Sequence, residues 1–125
     1  MKKYVILICV ASLPTMSHAQ GSVTLYGVID EGVNYQSNAA GNRLFNLSSG
    51  VIQGSRWGLR GAEDLGGGTR AIFVLENGFD VNTGALGQGS RMFGRQAYVG
   101  LSSDTYGTLM AGRQYDSVVT SLAGR

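Results

Sequence analysis

Hydrophobic and polar residues alternate with a period of two along much of this chain. The pattern is sharpest from Ser55 to Glu76, which reads SRWGLRGAEDLGGGTRAIFVLE. Ser55, Trp57, Leu59 and Gly61 share one side, and Arg56, Gly58, Arg60 and Ala62 the other. Further on, Ala71, Phe73 and Leu75 oppose Arg70, Ile72, Val74 and Glu76. A strand sends successive side chains to opposite faces, so the pattern predicts two strands, each with an apolar face and a charge-bearing face. The turn from Glu63 to Gly68 supplies the glycines that positive φ angles require.

The same period extends the prediction in both directions. Ser22 to Tyr35 predicts a first strand, with Val23, Leu25, Gly27, Ile29 and Val33 on one face. Thr24, Tyr26, Asp30 and Asn34 lie on the other, with Val28 among them. Glu31 interrupts the apolar face, and it belongs near an interface if that face meets lipid. Gln36 to Gly54 reads as a polar loop, with Arg43 to Leu47 able to extend a strand. A second polar loop runs from Asp80 to Ser90, a fourth strand from Arg91 to Ser102 and a turn from Ser103 to Gly107. A fifth strand covers Thr108 to Tyr115, and Asp116 to Arg125 begins another connection. Long and short connections alternate, and strand lengths approach the ~9–11 residues that cross a bilayer at a tilt. The expected topology is an antiparallel up-and-down meander.

The first residues do not follow this pattern. Lys2 and Lys3 precede an apolar run from Tyr4 to Leu13, then Pro14 and the small-residue site Ser17-His18-Ala19. This is the pattern of a secretory signal peptide over residues 1–19, cleaved between Ala19 and Gln20. The apolar run is shorter than the ~20 residues of a membrane-spanning helix. Cleavage removes both lysines, the only His (His18) and the only Cys (Cys9), leaving eight arginines against eight acidic residues. The remaining chain has no basic excess for nucleic acid. Without His or Cys it has no disulfide, no His-dependent triad, no thiol nucleophile and none of the usual zinc sites. Asp30 and Glu31, and Glu63 and Asp64, are adjacent in sequence and so point to opposite faces, which makes no facing carboxylate pair. Gly84 to Gly89 is glycine-rich, but no predicted helix follows to supply a phosphate cradle. Neither an enzyme nor a cofactor is expected.

Two all-β readings fit the alternation. In a soluble sandwich the apolar face is internal and the charged face is wet. In a transmembrane barrel the apolar face meets lipid and the charged face lines an aqueous lumen. Export without cysteine, uniform strand length, and short turns opposite long loops favour the barrel.

The segments SVTLYGVIDEGV, GSRWGLRGAEDLGGGTRAIFVLENGFD, GRQAYVGLSS and YGTLMAGRQYD resemble the N-terminal part of Gram-negative general porins of the β-proteobacterial type. The resemblance spans nearly all of residues 20–116, in order. It implies about five antiparallel transmembrane strands in residues 20–125, the N-terminal part of a larger barrel. It also implies an outer-membrane homotrimer that passes small hydrophilic solutes and ions by passive diffusion, with the N-terminus and short turns periplasmic and a third loop folded into the lumen. Arginines of the wall would oppose acids of that loop. Arg56, in SRWGLRG, and Arg95, in GRQAYVGL, match the wall cluster. Val28 stands where some relatives carry a basic residue after LYG.

Fixed positive charges in a narrow pore enrich anions, so the expected preference is anionic. Arg60 and Arg70 join the same face by alternation but nearer the periplasmic mouth, and Arg113 lies near the start of the third loop. Strict alternation instead groups Arg95 with Ala97, Val99 and Leu101. A β-bulge between Arg95 and Ala97 would return it to the lumen, because one extra residue reverses the facing. Five strands do not close a water-filled barrel, which takes roughly 16–18. The chain is therefore expected to be a fragment or a truncated product, with exposed edges that favour aggregation when isolated. The other functional classes are a structural or adhesive outer-membrane protein without transport and a soluble exported β domain that binds a ligand.

Overall fold

A computed structural model describes residues 21–116. The expected signal peptide, its junction at Ala19 and Gln20, and residues 117–125 lie outside the described residues. Seven strands run in chain order: β1 (Ser22–Val28), β2 (Glu31–Ala39), β3 (Asn42–Ser49), β4 (Arg56–Gly66), β5 (Thr69–Gly78), β6 (Gln96–Ser103) and β7 (Gly107–Arg113). Five of them form one antiparallel sheet in the order β1-β4-β5-β6-β7, and β2 pairs with β3 as a separate hairpin. The meander is thus as the alternation predicts, with one hairpin inserted between its first two members.

That insertion corrects the expected first strand and the expected first loop. The stretch from Ser22 to Tyr35 is interrupted at Asp30, whose hydrogen-bonding groups turn towards residues 50–55. Its carbonyl accepts from the Gly50 amide at 2.7 Å. Its carboxylate accepts from the Ile52 and Gln53 amides at 2.8 and 2.6 Å. Those amides, Gln53 first, hold the Asp30 carboxyl below the usual carboxylate range. Beyond the break, Val33 pairs with Leu47 and Tyr35 with Phe45, so most of the polar stretch 36–54 is strand. Ala40 and Gly41 both take positive φ, 52° and 89°, as a tight two-residue hairpin turn requires.

The β4–β5 hairpin has the register its alternation predicts, with Leu59 opposite Leu75 and Gly61 opposite Phe73. Its strands run further than expected. Glu63, Asp64 and Leu65 belong to β4, and Gly67 and Gly68 make the turn at φ 61° and 73°. The fourth predicted strand is shortened: Arg91 to Arg95 stay outside β6, because Ser90 and Phe93 take positive φ of 61° and 52°. The short turns at Gly67-Gly68 and at 104–106 lie at one end of the sheet. The inserted hairpin and the 79–95 connection lie at the other.

Burial in this sheet is inverted relative to a soluble domain. Among the described residues no hydrophobic side chain is buried, whereas Ser55, Glu76 and Asn77 are. Val23, Leu25, Val99, Leu101 and Leu109 form apolar rows on one face and are largely exposed, Leu109 at 76%. All three buried residues lie at the end that carries the long connections, and Glu76 is on the opposite face.

Candidate functional site

The site centres on one register row. Tyr26 on β1 lies opposite Gly58 on β4, Gly58 opposite Glu76 on β5, and Glu76 opposite Gln96 on β6. Residues opposite one another share a face, so Tyr26 and Glu76 point the same way across a glycine. A Cβ at Gly58 would meet the Tyr26 ring at 2.9 Å and the Leu75 carbonyl oxygen at 2.7 Å. The missing side chain is what lets Tyr26 lie across β4 and donate its hydroxyl to Glu76 Oε2 at 3.0 Å. Gly58→Val is expected to displace Tyr26 and lower the urea midpoint of the folded sheet, because a neighbouring backbone carbonyl cannot yield.

Two further donors and a second guanidinium converge on the same carboxylate. Arg95 Nε donates to Glu76 Oε1 at 2.8 Å. Tyr115, just past β7, donates its hydroxyl to that oxygen at 2.9 Å. Arg56 Nε lies 4.0 Å from Oε2. Every strand of the sheet, or the segment adjoining it, thus contributes to a carboxylate that is 4% exposed. Arg56 is oriented from the other side by the segment Asp30 holds, since its guanidinium donates to the Gly54 carbonyl and to Gln53 Oε1, each at 3.0 Å.

Arg95 lies on the Glu76 face. Its amide donates to the Glu76 carbonyl at 3.2 Å, while Gln96 is the register partner of Glu76. Two successive residues thus oppose one, as in a bulge, and the extra residue sits at the start of β6, not inside it. Strict alternation fails for Arg95 because it precedes the regular ladder.

The other arginines separate by position. Arg60 belongs to the same face, with its guanidinium 5.5 Å from the Tyr26 ring centroid. Arg70 is on that face near the short turns, where it is paired with Asp104 at 2.6 Å and lies opposite Asp64. Arg113 is in register with Ala97, and its Nε donates to the Gly94 carbonyl. The structure therefore brings Arg56 and Arg95 to Glu76, sets Arg60 against Tyr26 on the same face, and leaves Arg70 elsewhere. Glu76 itself is the central residue that alternation does not single out. Alternation assigns it a face, but its depth beside Tyr26 depends on the register of three strands. Two guanidinium groups meet the Glu76 carboxylate and a third, Arg60, lies against Tyr26 on the same face, so this part of the face carries an excess of fixed positive charge, which attracts anions in a low-dielectric wall. Among the described residues, no group of three or more His, Cys, Asp or Glu side chains comes together to hold a metal.

A family profile described as Gram-negative porin matches residues 6–124. An outer membrane porin protein of Bordetella pertussis is 46% identical over 112 residues, covering 78% of the chain and 29% of that protein. Outer membrane porin protein 32 of Delftia acidovorans is 40% identical over 97% of the chain and 33% of its own length. The solved structure of an anion-selective porin from Comamonas acidovorans superposes with a TM-score of 0.69 at 36% identity, covering 83% of the chain and 31% of that porin. The chain spans about a third of the length of these relatives.

Proposed function

The chain belongs to the Gram-negative porin family, and from that premise we propose that its sheet is a stretch of outer-membrane barrel wall beside a water-filled channel. Small hydrophilic solutes and ions diffuse passively through that channel, with anions preferred. The chain acts as a conduit and not as a catalyst. Residues 1–19 are the export signal and residues 20–125 the first strands of the barrel domain. The wall works within a homotrimer embedded in outer-membrane lipid.

The two-sided sheet carries this reading. One face is apolar and uncovered among the described residues, while the other holds the buried Glu76 carboxylate among Tyr26, Arg95 and Tyr115. Lipid suits the first face and water the second. Arg56, Arg60 and Arg95 supply the excess charge that favours anions, and the anion-selective Comamonas relative supports the sign. Arg113, in register with Ala97 and bonded to the Gly94 carbonyl, is not counted in that excess. Arg70 contributes less, because Asp104 neutralises it at the short-turn end.

Reversal potentials across a salt gradient test the proposal in the assembled porin carrying this sequence. Arg56→Ala and Arg95→Ala should each lower the anion-to-cation permeability ratio several-fold, and Arg70→Ala should change it little. An unchanged ratio in the first two variants would remove these arginines from the selectivity of the pore.

A further inference from the structure

We propose that Tyr115 is a latch: it holds residues 114–116, which leave β7, across the pore-facing side of the sheet and couples their position to the Arg95–Glu76 pair. The first observation is one of distance. Tyr115 follows β7, yet its hydroxyl donates to Glu76 on β5 at 2.9 Å. β6 lies between β5 and β7. Neighbouring strands are about 4.8 Å apart, so the bond reaches back over roughly 10 Å of sheet. The chain after β7 must therefore leave the sheet plane on the Glu76 side.

The second observation is what Tyr115 covers on the way. Its ring centroid lies 5.6 Å from the Arg95 guanidinium carbon, and its hydroxyl shares Glu76 Oε1 with Arg95 Nε. Ring and hydroxyl thus act on the two members of one ion pair. The Arg113 Nε bond to the Gly94 carbonyl fastens the end of β7 to the residue just before Arg95. Burial, and then the neighbouring Glu76 carboxylate, push the Tyr115 hydroxyl up, so it remains a donor at physiological pH. Releasing Tyr115 would free residues 114–116 and uncover Arg95 in the same motion. Tyr115 is in this sense a positioning residue that acts through Glu76.

The latch rests on the pore-wall reading only for its electrical consequence, so the test has two arms. In the refolded protein, trypsin cleavage after Arg113 measures release without any current. Tyr115→Phe keeps the ring over Arg95 and removes only the hydroxyl bond. A hydrogen bond to a charged group justifies an expected rate increase on the order of tenfold. Tyr115→Ala should be cut faster still. If Tyr115 acts through Glu76, adding Tyr115→Phe to Glu76→Ala should change the cleavage rate no further. In planar bilayers, Tyr115→Phe should raise open-channel current noise while the mean conductance changes little. Cleavage rates equal to wild type in both tyrosine variants would overturn the latch even if the pore conducts normally. A wild-type protein that carries no current would overturn the pore reading and leave the cleavage result to decide the latch.

Discussion

Arginine in place of Val99 is expected to destabilise the folded wall in lipid by about 2–4 kcal/mol, the cost of a basic side chain near the middle of a barrel's lipid face. Ile72→Arg, at nearly the same height on the opposite face, should cost far less. Val99 pairs with Phe73 and Ala111 and is 64% exposed, with nothing packed over it among the described residues. Ile72 lies between Ala62 and Gly100 in the row that looks the other way, the face read as water-lined, where a guanidinium keeps its hydration. The measurement is the urea midpoint of refolding into phospholipid vesicles. A packed soluble core would also reject an arginine at Val99, so the discriminating feature is depth. Leu101→Arg, one row nearer the short turns, should cost less than Val99→Arg, because the membrane penalty falls to about 0–1 kcal/mol near an interface. Equal penalties at Val99 and Ile72, or no decline at Leu101, would contradict a wall between lipid and water.

The two faces were legible in the sequence because a strand has no freedom in the direction of successive side chains. Leu59, Leu75 and Phe73 could be assigned to one face and Arg56, Arg60 and Glu76 to the other without coordinates. Depth was not legible in the same way. Glu76 meets Tyr26 only because the β1–β4 and β4–β5 registers both place Gly58 between them, and those registers depend on how the turns close. Arg95 escaped the alternation because it precedes the ladder that the alternation describes. The β2–β3 hairpin was hidden for a compositional reason. Its strands carry Asn, Ser and Gln at alternate positions, and its turn is Ala40-Gly41, not an Asn-Gly or Asp-Gly pair. Those residues have weak strand preference, so only the pairing of Val33 with Leu47 and Tyr35 with Phe45 marks the hairpin. The break at Asp30 also comes from tertiary structure, since the amides that bind its carboxylate belong to Ile52 and Gln53.

Replacing Glu76 should have opposite effects on selectivity and stability, and the two variants Glu76→Ala and Glu76→Gln separate the causes. Each variant removes the negative charge that Arg56 and Arg95 share, so each should raise the anion-to-cation permeability ratio above wild type. The stability term needs a magnitude. Breaking a buried ion pair costs about 3–5 kcal/mol when the remaining charge stays dry, whereas an exposed pair contributes about 0–1 kcal/mol. Glu76 is nearly buried at 6% side-chain exposure, but Arg56 and Arg95 retain 23% and 22% and can rehydrate from the lumen. The expected loss therefore lies below the buried limit and above the exposed one. Glutamine keeps one carbonyl oxygen that can still accept from Tyr26 or Tyr115, so Glu76→Gln should lose less stability than Glu76→Ala while gaining a similar anion preference. Urea midpoints and reversal potentials measured on the same preparations give both readouts. A permeability ratio that falls in Glu76→Gln would mean that the carboxylate organises the arginines more than it screens them. In that case their geometry, and not their net charge, would set the preference of the pore.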